Sequence, residues 1–293
     1  MLYSVYTGTT YRRDPMQHNL VDTYHLAVDH HYALGAFNVF NMLTAEAVVL
    51  ASNEMKIPTI IQMSASTVKS LGVRKATMMI ETVLVNAEQQ IMLHLDHCTD
   101  INLAKKCIDA GWKSIMFDGS HLPLEENIRL TREIVEYGKD KGVLVEGEVG
   151  VILGVDDGIS SDHAISATFD EVARFFKETG VNTIAPSIGT AHGLYQGTCE
   201  INYDLIKQLI DNQIEPVVVH GGTGLGEDIF KKLVHLKVAK INVSTALKHA
   251  YLDAMKVLTS SELVYEPMVY DKKIVEAVKQ VVLEHMRYFN GNS

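Results

Sequence analysis

Residues 91–120 read IMLHLDHCTDINLAKKCIDAGWKSIMFDGS and contain the unit on which the fold is built. An apolar run at Met92–Leu95 is followed by an amphipathic segment with helical spacing at Asn102–Ala110 and by a second apolar run at Ser114–Phe117. Gly111 stands where the helix should end, in keeping with the preference of glycine for that position. The stretch therefore predicts a strand, a helix and a second strand parallel to the first.

The same alternation continues through the chain. Short apolar segments, many of them β-branched, predict eight strands at Leu34–Asn38, Thr59–Met63, Met92–Leu95, Ser114–Phe117, Val143–Glu148, Thr183–Ser187, Pro216–Val219 and Ala239–Val243. Between them lie segments with helical spacing, among them Thr44–Met55, Leu124–Lys141, Thr168–Thr179 and Tyr203–Asn212. This pattern predicts an α/β fold, a single (β/α)8 TIM barrel. A doubly wound open sheet is the alternative, which the lack of a GxGxxG motif after the first strand disfavours.

Length and composition fit this fold. The chain has 293 residues without a linker or low-complexity run, so residues 1–293 are predicted to form one barrel domain. Within it, residues 1–20 are interpreted as an N-terminal extension and residues 251–293 as a C-terminal helical segment. With 47% apolar and 21% charged residues, the composition excludes a disordered chain, a collagen-like repeat and a coiled coil.

Net charge and cysteine content indicate which kinds of binding partner and which cellular compartment to expect. The net charge of −10 argues against a nucleic-acid-binding surface but permits a small anionic substrate held by backbone N–H groups. Cys98, Cys107 and Cys199 have no metal-binding spacing and are too few for a disulfide framework. No signal peptide or membrane span is recognisable, so we expect a cytoplasmic protein that does not bind a membrane.

Polar side chains follow the predicted strands, where the active site of a barrel lies. They are Asn38, Ser64, Asp96, His97, Asp118, Glu148, His192, His220, Asn242, Ser244 and Thr245. His97, His192 and His220 follow strands three, six and seven, and three convergent imidazoles are typical of a catalytic zinc site with one open position. His94 is interpreted as structural. The remaining histidines considered are expected at the surface: His30, His31, His163, His235 and His285.

The acids near these histidines have two interpretations each. Asp96 is suited to proton transfer beside a metal, or alternatively caps a turn. Asp118 and Glu148 either orient the imidazoles or bind a metal at another position. Glu146 shares a strand face with Glu148 and is expected to be buried and paired, without a catalytic role.

Two loops predict a phosphate site. Gly221–Gly224 follow strand seven and Asn242–Thr245 follow strand eight, the usual place for phosphate in a barrel. Glycine lets the backbone approach an anion closely, while Ser244 and Thr245 offer hydroxyl groups.

These motifs occur together, in order, in a known family. Over roughly residues 21–290 the chain resembles the class II, zinc-dependent ketose-bisphosphate aldolases, and most of all their tagatose- and bacillary fructose-bisphosphate branch. The motifs are Leu95-Asp96-His97, Phe117–Pro123, Glu146–Gly150, Gly189–Tyr195, His220–Gly224 and Asn242–Thr245.

The resemblance implies roles for these residues. It implies a catalytic Zn²⁺ on His97, His192 and His220, with Asp118 and Glu148 as further metal-contacting acids and Asp96 as the proton-transfer residue. It implies that dihydroxyacetone phosphate is held by Gly193, Gly221, Gly222, Thr223, Asn242, Ser244 and Thr245, with further substrate contacts from Asn38 and Ser64. A second divalent or a monovalent cation and a homodimer or homotetramer are also implied. The reaction implied is cleavage or formation of a ketose 1,6-bisphosphate of the fructose or tagatose type through a zinc-stabilised enediolate.

The chain departs from the family on the aldehyde side. Asp156 stands at the family's loop glutamate, Gln196 at a frequent lysine and Lys248 at a frequent arginine or glutamine. Residues 151–167 are therefore predicted to form a mobile lid in which Asp156, or otherwise Asp157, transfers the second proton. The departures leave open another phosphorylated ketose as substrate. A zinc-dependent barrel hydrolase and a non-catalytic sugar-phosphate sensor are the remaining alternatives.

Overall fold

A computed structural model describes residues 20–156, 159–161, 165–193, 200–260 and 265–291. Eight parallel strands form the wall of a barrel, which confirms the predicted (β/α)8 architecture. They are β1 Leu34–Asn38, β2 Thr59–Ser64, β3 Ile91–Cys98, β4 Ser114–Phe117, β5 Leu144–Val149, β8 Thr183–Pro186, β10 Val218–Val219 and β11 Lys240–Val243.

The strands are ordered β10-β11-β1-β2-β3-β4-β5-β8 around the barrel. A parallel bridge between Ile184 and Val217 joins the first and last strands of that order. Because all eight strands run in the same direction, their C-terminal ends meet at one rim, and every polar residue that follows a strand is brought to that rim.

The helices surround the barrel. They are α1 Leu20–Asp29, α2 Met42–Met55, α3 Ala65–Leu71, α4 Val73–Leu84, α5 Ile101–Asp109, α6 Leu124–Lys139, α7 Phe169–Thr179, α8 Tyr203–Asp211, α9 Glu227–His235, α10 Thr245–Ser260 and α11 Pro267–Tyr288. Tyr24 and Ala27 of α1 pack with Leu34 and Ile60 in a cluster at the starts of the strands, so α1 covers the end of the barrel opposite the C-terminal ends of the strands.

The predicted terminal segments are described in part. Residues 1–19 of the expected N-terminal extension lie outside the described residues, and α1 begins at the twentieth. The expected C-terminal helical segment consists of the end of α10 and of α11. That the whole chain is one domain stays a prediction. No helix in the described part of the chain is long and apolar enough to cross a membrane.

Local sequence signals explain the helix ends. At the start of α7, the Thr168 hydroxyl accepts a hydrogen bond from the Glu171 amide, and the Glu171 carboxylate accepts one from the Thr168 amide at 3.0 Å. This capping box satisfies amides that have no partner within the helix. The helix ends at Gly180, whose φ of +70° suits a residue without a side chain.

Three predicted segments differ in detail. The strand expected at Pro216–Val219 is shorter, because proline has no N–H with which to join a ladder. β3 extends beyond its predicted end to Cys98. Residues 151–167, expected to form a loop, contain a β-hairpin of β6 Leu153–Asp156 and β7 Ile159–Ser161.

His285 was expected at the surface, and that expectation is wrong. It is only 8% exposed on the inner side of α11, where its Nδ1 donates to the Val281 carbonyl and its ring lies beside Phe230 and Phe289. The error arises because histidine is amphipathic and burial depends on the helix face that packs inward. His163 lies outside the described residues.

Candidate active site

The rim of the barrel holds a small cavity among the predicted site residues. It is lined by His97, His192, Gly193, Gly221, Gly222, Thr223, Asn242, Ser244 and Thr245. These residues come from β3, from β9 at Ala191–His192 and the residue after it, from the segment that follows β10, and from β11 and the segment that follows it. The topology thus gathers residues that are far apart in sequence into one polar site.

A bulge in β3 brings Asp96 and His97 to the same site. Leu95 is paired with Ile115 and Cys98 with Phe117, so β3 has one residue more than β4 over this interval. His97 has a φ of +44°, which is uncommon for a residue with a side chain. Adjacent strand residues normally point to opposite faces, and such a bulge re-aims one of them.

Three imidazoles converge beside the bulge. The ring centre of His97 lies 5.0 Å from that of His192 and 4.6 Å from that of His220. One ring nitrogen from each histidine lies within 4.8 Å of the corresponding nitrogen of the other two. This spacing allows a single ion to bind all three rings after small side-chain rotations.

Carboxylates fix two of these rings. His97 Nδ1 lies 2.8 Å from Asp118 Oδ2, and His220 Nε2 lies 2.8 Å from Glu146 Oε1. Ionised carboxylates only accept hydrogen bonds, so each ring donates its proton to its carboxylate. The nitrogen of each ring that does not face a carboxylate is then the one available as a metal ligand.

The charges around both carboxylates keep them ionised. Burial raises the pKa of Asp118, but the hydrogen bond and charge of His97 and the hydrogen bonds from Ser120 outweigh burial and hold the pKa well below its usual value. Burial also raises the pKa of Glu146, but the Lys240 charge and the His220 hydrogen bond lower it further than burial raises it. Both groups therefore act as acceptors near neutral pH.

The geometry between the rings fits a cation. His97 Nε2 lies 2.8 Å from His220 Nδ1, so the two nitrogens share a proton, and an ion bound by both rings would take the place of that proton. Burial lowers the pKa of His97, but Asp96, Asp118 and Glu148 raise it well above its usual value. Carboxylates that attract a proton to this ring attract a metal ion for the same reason.

Glu148 offers a second position for a cation. His97, Asp118 and Glu148 form a further group with ligand atoms within 4.8 Å of one another. Glu148 Oε2 is buried without a hydrogen-bond partner among the described residues, and burial together with the Asp118 charge raises the pKa of this carboxyl well above its usual value. Asp118 therefore orients His97, whereas Glu148 Oε2 lies 3.7 Å from His97 Nδ1, beyond hydrogen-bond distance, and has the position of a metal ligand only.

Asp96 is buried and is held by two amides. Asn38 Nδ2 donates to Asp96 Oδ2 at 2.8 Å, and Asn242 Nδ2 donates to Asp96 Oδ1 at 3.2 Å. Burial raises the pKa of Asp96, but the charges of His97, His220 and Lys240 outweigh burial and lower it. The alternative of a turn cap fails, because Asp100 caps the following helix.

Two buried residues of the network escaped the sequence analysis. Lys240, which is not exposed at all, contacts Glu146 Oε2 with its Nζ at 2.8 Å. Gln62 Nε2 donates to Asn38 Oδ1 at 2.6 Å and so fixes the amide that holds Asp96. A lysine within an apolar strand was the available signal for the first, since a buried lysine requires a partner.

The glycines and hydroxyls lie where a phosphate could approach. A side chain at Gly221 would overlap the Ala191 carbonyl oxygen, and one at Gly222 would lie 2.6 Å from the Asn242 carbonyl oxygen. Thr245 begins α10, so amides of a helix N-terminus face this region. Ser64, another residue predicted to contact substrate, has a structural role, since its hydroxyl caps α3 by accepting a hydrogen bond from the Thr67 amide.

The structure describes least completely the residues that are predicted to lie near the released aldehyde. Asp156 is the last residue of β6, but its side chain is outside the described part of the structure. Asp157 and Gln196 lie outside the described residues altogether, while Lys248 is half-buried in α10. Within residues 151–167 the described residues form a hairpin whose β6 pairs with β9, and closure of this segment over the substrate stays a prediction.

Comparisons with known proteins all identify aldolases as the relatives of this chain. The model of the class II fructose-bisphosphate aldolase family matches residues 18–293. A fructose-bisphosphate aldolase from Geobacillus stearothermophilus is 34% identical over 269 residues, which cover 89% of this chain and 92% of that protein. A 6-phospho-5-dehydro-2-deoxy-D-gluconate aldolase from Halalkalibacterium halodurans is 35% identical over 263 residues, 88% of this chain and 91% of that protein.

A solved structure extends the agreement to the fold. The crystal structure of a candidate fructose-1,6-bisphosphate aldolase from Coccidioides immitis is similar, with a TM-score of 0.85 and 28% sequence identity. The similarity covers 94% of this chain and 97% of that chain.

Proposed function

Since the chain belongs to the class II fructose-bisphosphate aldolase family, we propose that it cleaves and forms a ketose 1,6-bisphosphate of the fructose or tagatose type. The family and the names of its relatives make the chain an aldolase, a carbon–carbon lyase. The observation that carries the proposal is the convergence of His97, His192 and His220 beside Asp96, which two amides hold in place.

His97, His192 and His220 would hold the Zn²⁺ that the family implies. When bound, zinc supplies a Lewis acid that withdraws electron density from the ketose carbonyl. Asp118 and Glu146 contribute by orienting two of the rings, and they raise the basicity of the nitrogens that face the cavity. Asp118 and Glu148 are the candidates for a second cation site.

Asp96 is proposed as the general base for cleavage. Breaking the C3–C4 bond requires removal of the proton from the C4 hydroxyl, and an ionised carboxylate beside the three imidazoles is suited to accept it. In synthesis Asp96 returns this proton to the aldehyde oxygen. Asn38 and Asn242 donate to both of its oxygens and so direct its remaining lone pairs towards the cavity.

The segment after β11 and the glycines after β10 are proposed to hold the phosphate of dihydroxyacetone phosphate. The first turn of α10, which begins at Thr245, directs backbone N–H groups and the positive end of the helix dipole there. The proposed contacts are Gly193, Gly221, Gly222, Thr223, Asn242, Ser244 and Thr245. Asn38 and Ser64 remain proposed substrate-side residues.

Asp156 is proposed to transfer the proton at the dihydroxyacetone phosphate carbon. It lies two residues beyond Gly154, whose backbone is paired with that of His192. Proton exchange from solvent into dihydroxyacetone phosphate isolates this step, because no aldehyde is needed. Asp156→Asn should slow the exchange sharply without a change in zinc content, and exchange at the unmodified rate would remove Asp156 from the mechanism.

A second substrate is favoured by one observation. A relative of similar identity is named 6-phospho-5-dehydro-2-deoxy-D-gluconate aldolase, and the compound in that name is a phosphorylated keto acid with a single phosphate. The departures at Asp156, Gln196 and Lys248 are on the side of the released aldehyde. Both candidates therefore keep the dihydroxyacetone phosphate half and differ in the other product.

A retro-aldol assay tests these proposals. Purified protein loaded with Zn²⁺ is incubated with fructose 1,6-bisphosphate, tagatose 1,6-bisphosphate and 6-phospho-5-dehydro-2-deoxy-D-gluconate, and release of dihydroxyacetone phosphate is measured. Cleavage of a bisphosphate supports the first candidate, and selective cleavage of the deoxygluconate supports the second. Absence of cleavage together with ester or amide hydrolysis would favour the hydrolase alternative.

A homodimer or homotetramer and a cytoplasmic location stay predictions. Light scattering tests the first of these.

A further inference from the structure

His192 is placed differently from the other two imidazoles. His97 lies in β3 and His220 directly follows β10, whereas His192 lies in β9, outside the eight barrel strands. Its backbone is paired with the hairpin strand β6, in the register Leu153–Ala191 and Gly154–His192. The position of this imidazole therefore depends on a neighbour that is itself not part of the barrel.

Gly154 makes this pairing possible. Its φ is +108°, and a side chain there would overlap the His192 carbonyl oxygen and lie 3.1 Å from the His192 nitrogen and carbonyl carbon. All three atoms belong to backbone, which cannot rotate away as the end of a side chain can. On the other side, Gly221 approaches the Ala191 carbonyl oxygen equally closely. The backbone of β9 is thus enclosed between two glycines.

We propose that Gly154 is a positioning residue for the metal site, because its missing side chain lets β6 lie against β9 and so sets the position of His192. The inference rests on the proposed function, in which His192 binds zinc. It assigns to the hairpin a role beyond carrying Asp156. One short strand then places both a metal ligand and, two residues further, the residue proposed for proton transfer.

A substitution at Gly154 should act on one ligand only. His97 and His220 are oriented by Asp118 and Glu146, whose bonds do not involve the hairpin. An alanine at the glycine position forces β6 and β9 apart and moves His192 away from the other two rings. The barrel strands do not change, so the fold persists while the site loses its third nitrogen.

Gly154→Ala is compared with the unmodified protein and with Gly72→Ala. Gly72 also has a positive φ, +84°, but a side chain there meets no atom within 4 Å, so this control introduces backbone strain without a clash. Zinc dissociation constants are measured by competition with a chromophoric chelator, and the Co²⁺-substituted proteins are compared by visible absorption. Gly154→Ala should weaken zinc binding by about 10–100-fold, the usual effect of losing a group that orients a ligand, and should alter the cobalt spectrum. Gly72→Ala should leave both unchanged.

Hydrogen–deuterium exchange on the unmodified protein provides a test that does not depend on a variant's folding. Zinc should slow exchange both in residues 188–193 and in residues 151–156. Protection of the first segment alone, or zinc affinity in Gly154→Ala equal to that of the unmodified protein, would overturn the proposal. Failure of the unmodified protein to bind zinc would instead overturn the proposed function, so the two failures are distinguishable.

Discussion

Asp96 and His97 belong to the same group of buried polar side chains because an extra residue interrupts the pairing of β3 with β4. This one irregularity places a proposed base beside a proposed metal ligand, although neighbouring strand residues usually diverge. Buried polar groups then fix the side chains of Asp96 and His97. Asp96 is held by amides, whereas His97 is held by the Asp118 carboxylate.

Asp96→Ala should separate chemistry from metal binding. We expect kcat to fall by about 10²–10⁴-fold, the usual contribution of a general acid or base, because the proposed acceptor of the C4 hydroxyl proton is lost. Zinc content, measured by atomic absorption, should stay at the unmodified value. Asp100→Ala, which removes a helix cap four residues away, is the control and should leave kcat unchanged. An unchanged kcat in Asp96→Ala would exclude it from the mechanism.

Lys240→Met tests the buried ion pair. Lys240 Nζ and Glu146 Oε2 lie 2.8 Å apart with neither residue exposed by more than 2%. Removing the lysine leaves a buried carboxylate without its counter-charge, and such losses cost about 3–5 kcal/mol of unfolding free energy. Urea denaturation measures this change.

The double variant Lys240→Met with Glu146→Gln is the control for that prediction. It removes the uncompensated charge as well, so most of the lost stability should return. If the two substitutions destabilise additively, the pair does not act as a unit.

Among the elements, β5 and the hairpin have the closest connection to the site. β5 carries Glu146 and Glu148 on the face that points into the barrel, and its Gly147 lies against α7. The absence of a side chain at Gly147 allows the Phe175 ring to pack directly on the strand. The hairpin forms where a loop was predicted because β9 supplies a second partner for β6, the central strand of the sheet β7-β6-β9.

Gly147→Ala should loosen the packing of α7 on β5. The added carbon would lie 2.5 and 2.7 Å from two ring carbons of Phe175, so the helix or the ring must move. Overpacking of this kind typically costs about 1–3 kcal/mol of unfolding free energy, which urea denaturation measures.

The background variant Phe175→Leu removes the clashing ring carbons and is the matched control. In that background the same Gly147→Ala change should cost clearly less. An equal cost in both backgrounds would show that the contact with Phe175 is not the cause.

For the whole molecule, barrel closure gathers side chains that are distant in sequence. His97 and His220 are 123 residues apart, yet their ring nitrogens meet at 2.8 Å. An ion bound by both, and by His192, joins opposite sides of the barrel wall. It should therefore stabilise the folded state as any ligand that binds only that state does.

Removal of zinc should lower the thermal midpoint of the whole chain. At a free zinc concentration about 100 times its dissociation constant, binding contributes about 2.7 kcal/mol, which corresponds to a shift of roughly 4–5 °C for a chain of 293 residues. Differential scanning calorimetry before and after treatment with a chelator measures the shift. In His97→Ala the chelator should have little effect. A full-sized shift in that variant would place the ion elsewhere.

The amino-acid sequence by itself determined the barrel and the location of the site. Apolar runs that alternate with helical segments report local burial, and parallel strands bring their C-terminal ends to one rim, so Asp96, His192 and His220 could be placed there without coordinates. The order of the motifs added the family. None of these inferences requires knowledge of which side chains touch.

Contacts across the barrel were decided only by the tertiary structure. Glu146 and Lys240 are 94 residues apart, and no local sequence pattern indicates that closure of the barrel brings them together. Three further features depend in the same way on the segment that packs next to a residue in the folded chain. They are the bulge at His97, the close contact of Gly154 with the His192 backbone and the burial of His285. The physical reason is that hydrophobic periodicity records which face of an element is buried, whereas the partners of a buried polar group are set by the packing of all the elements together.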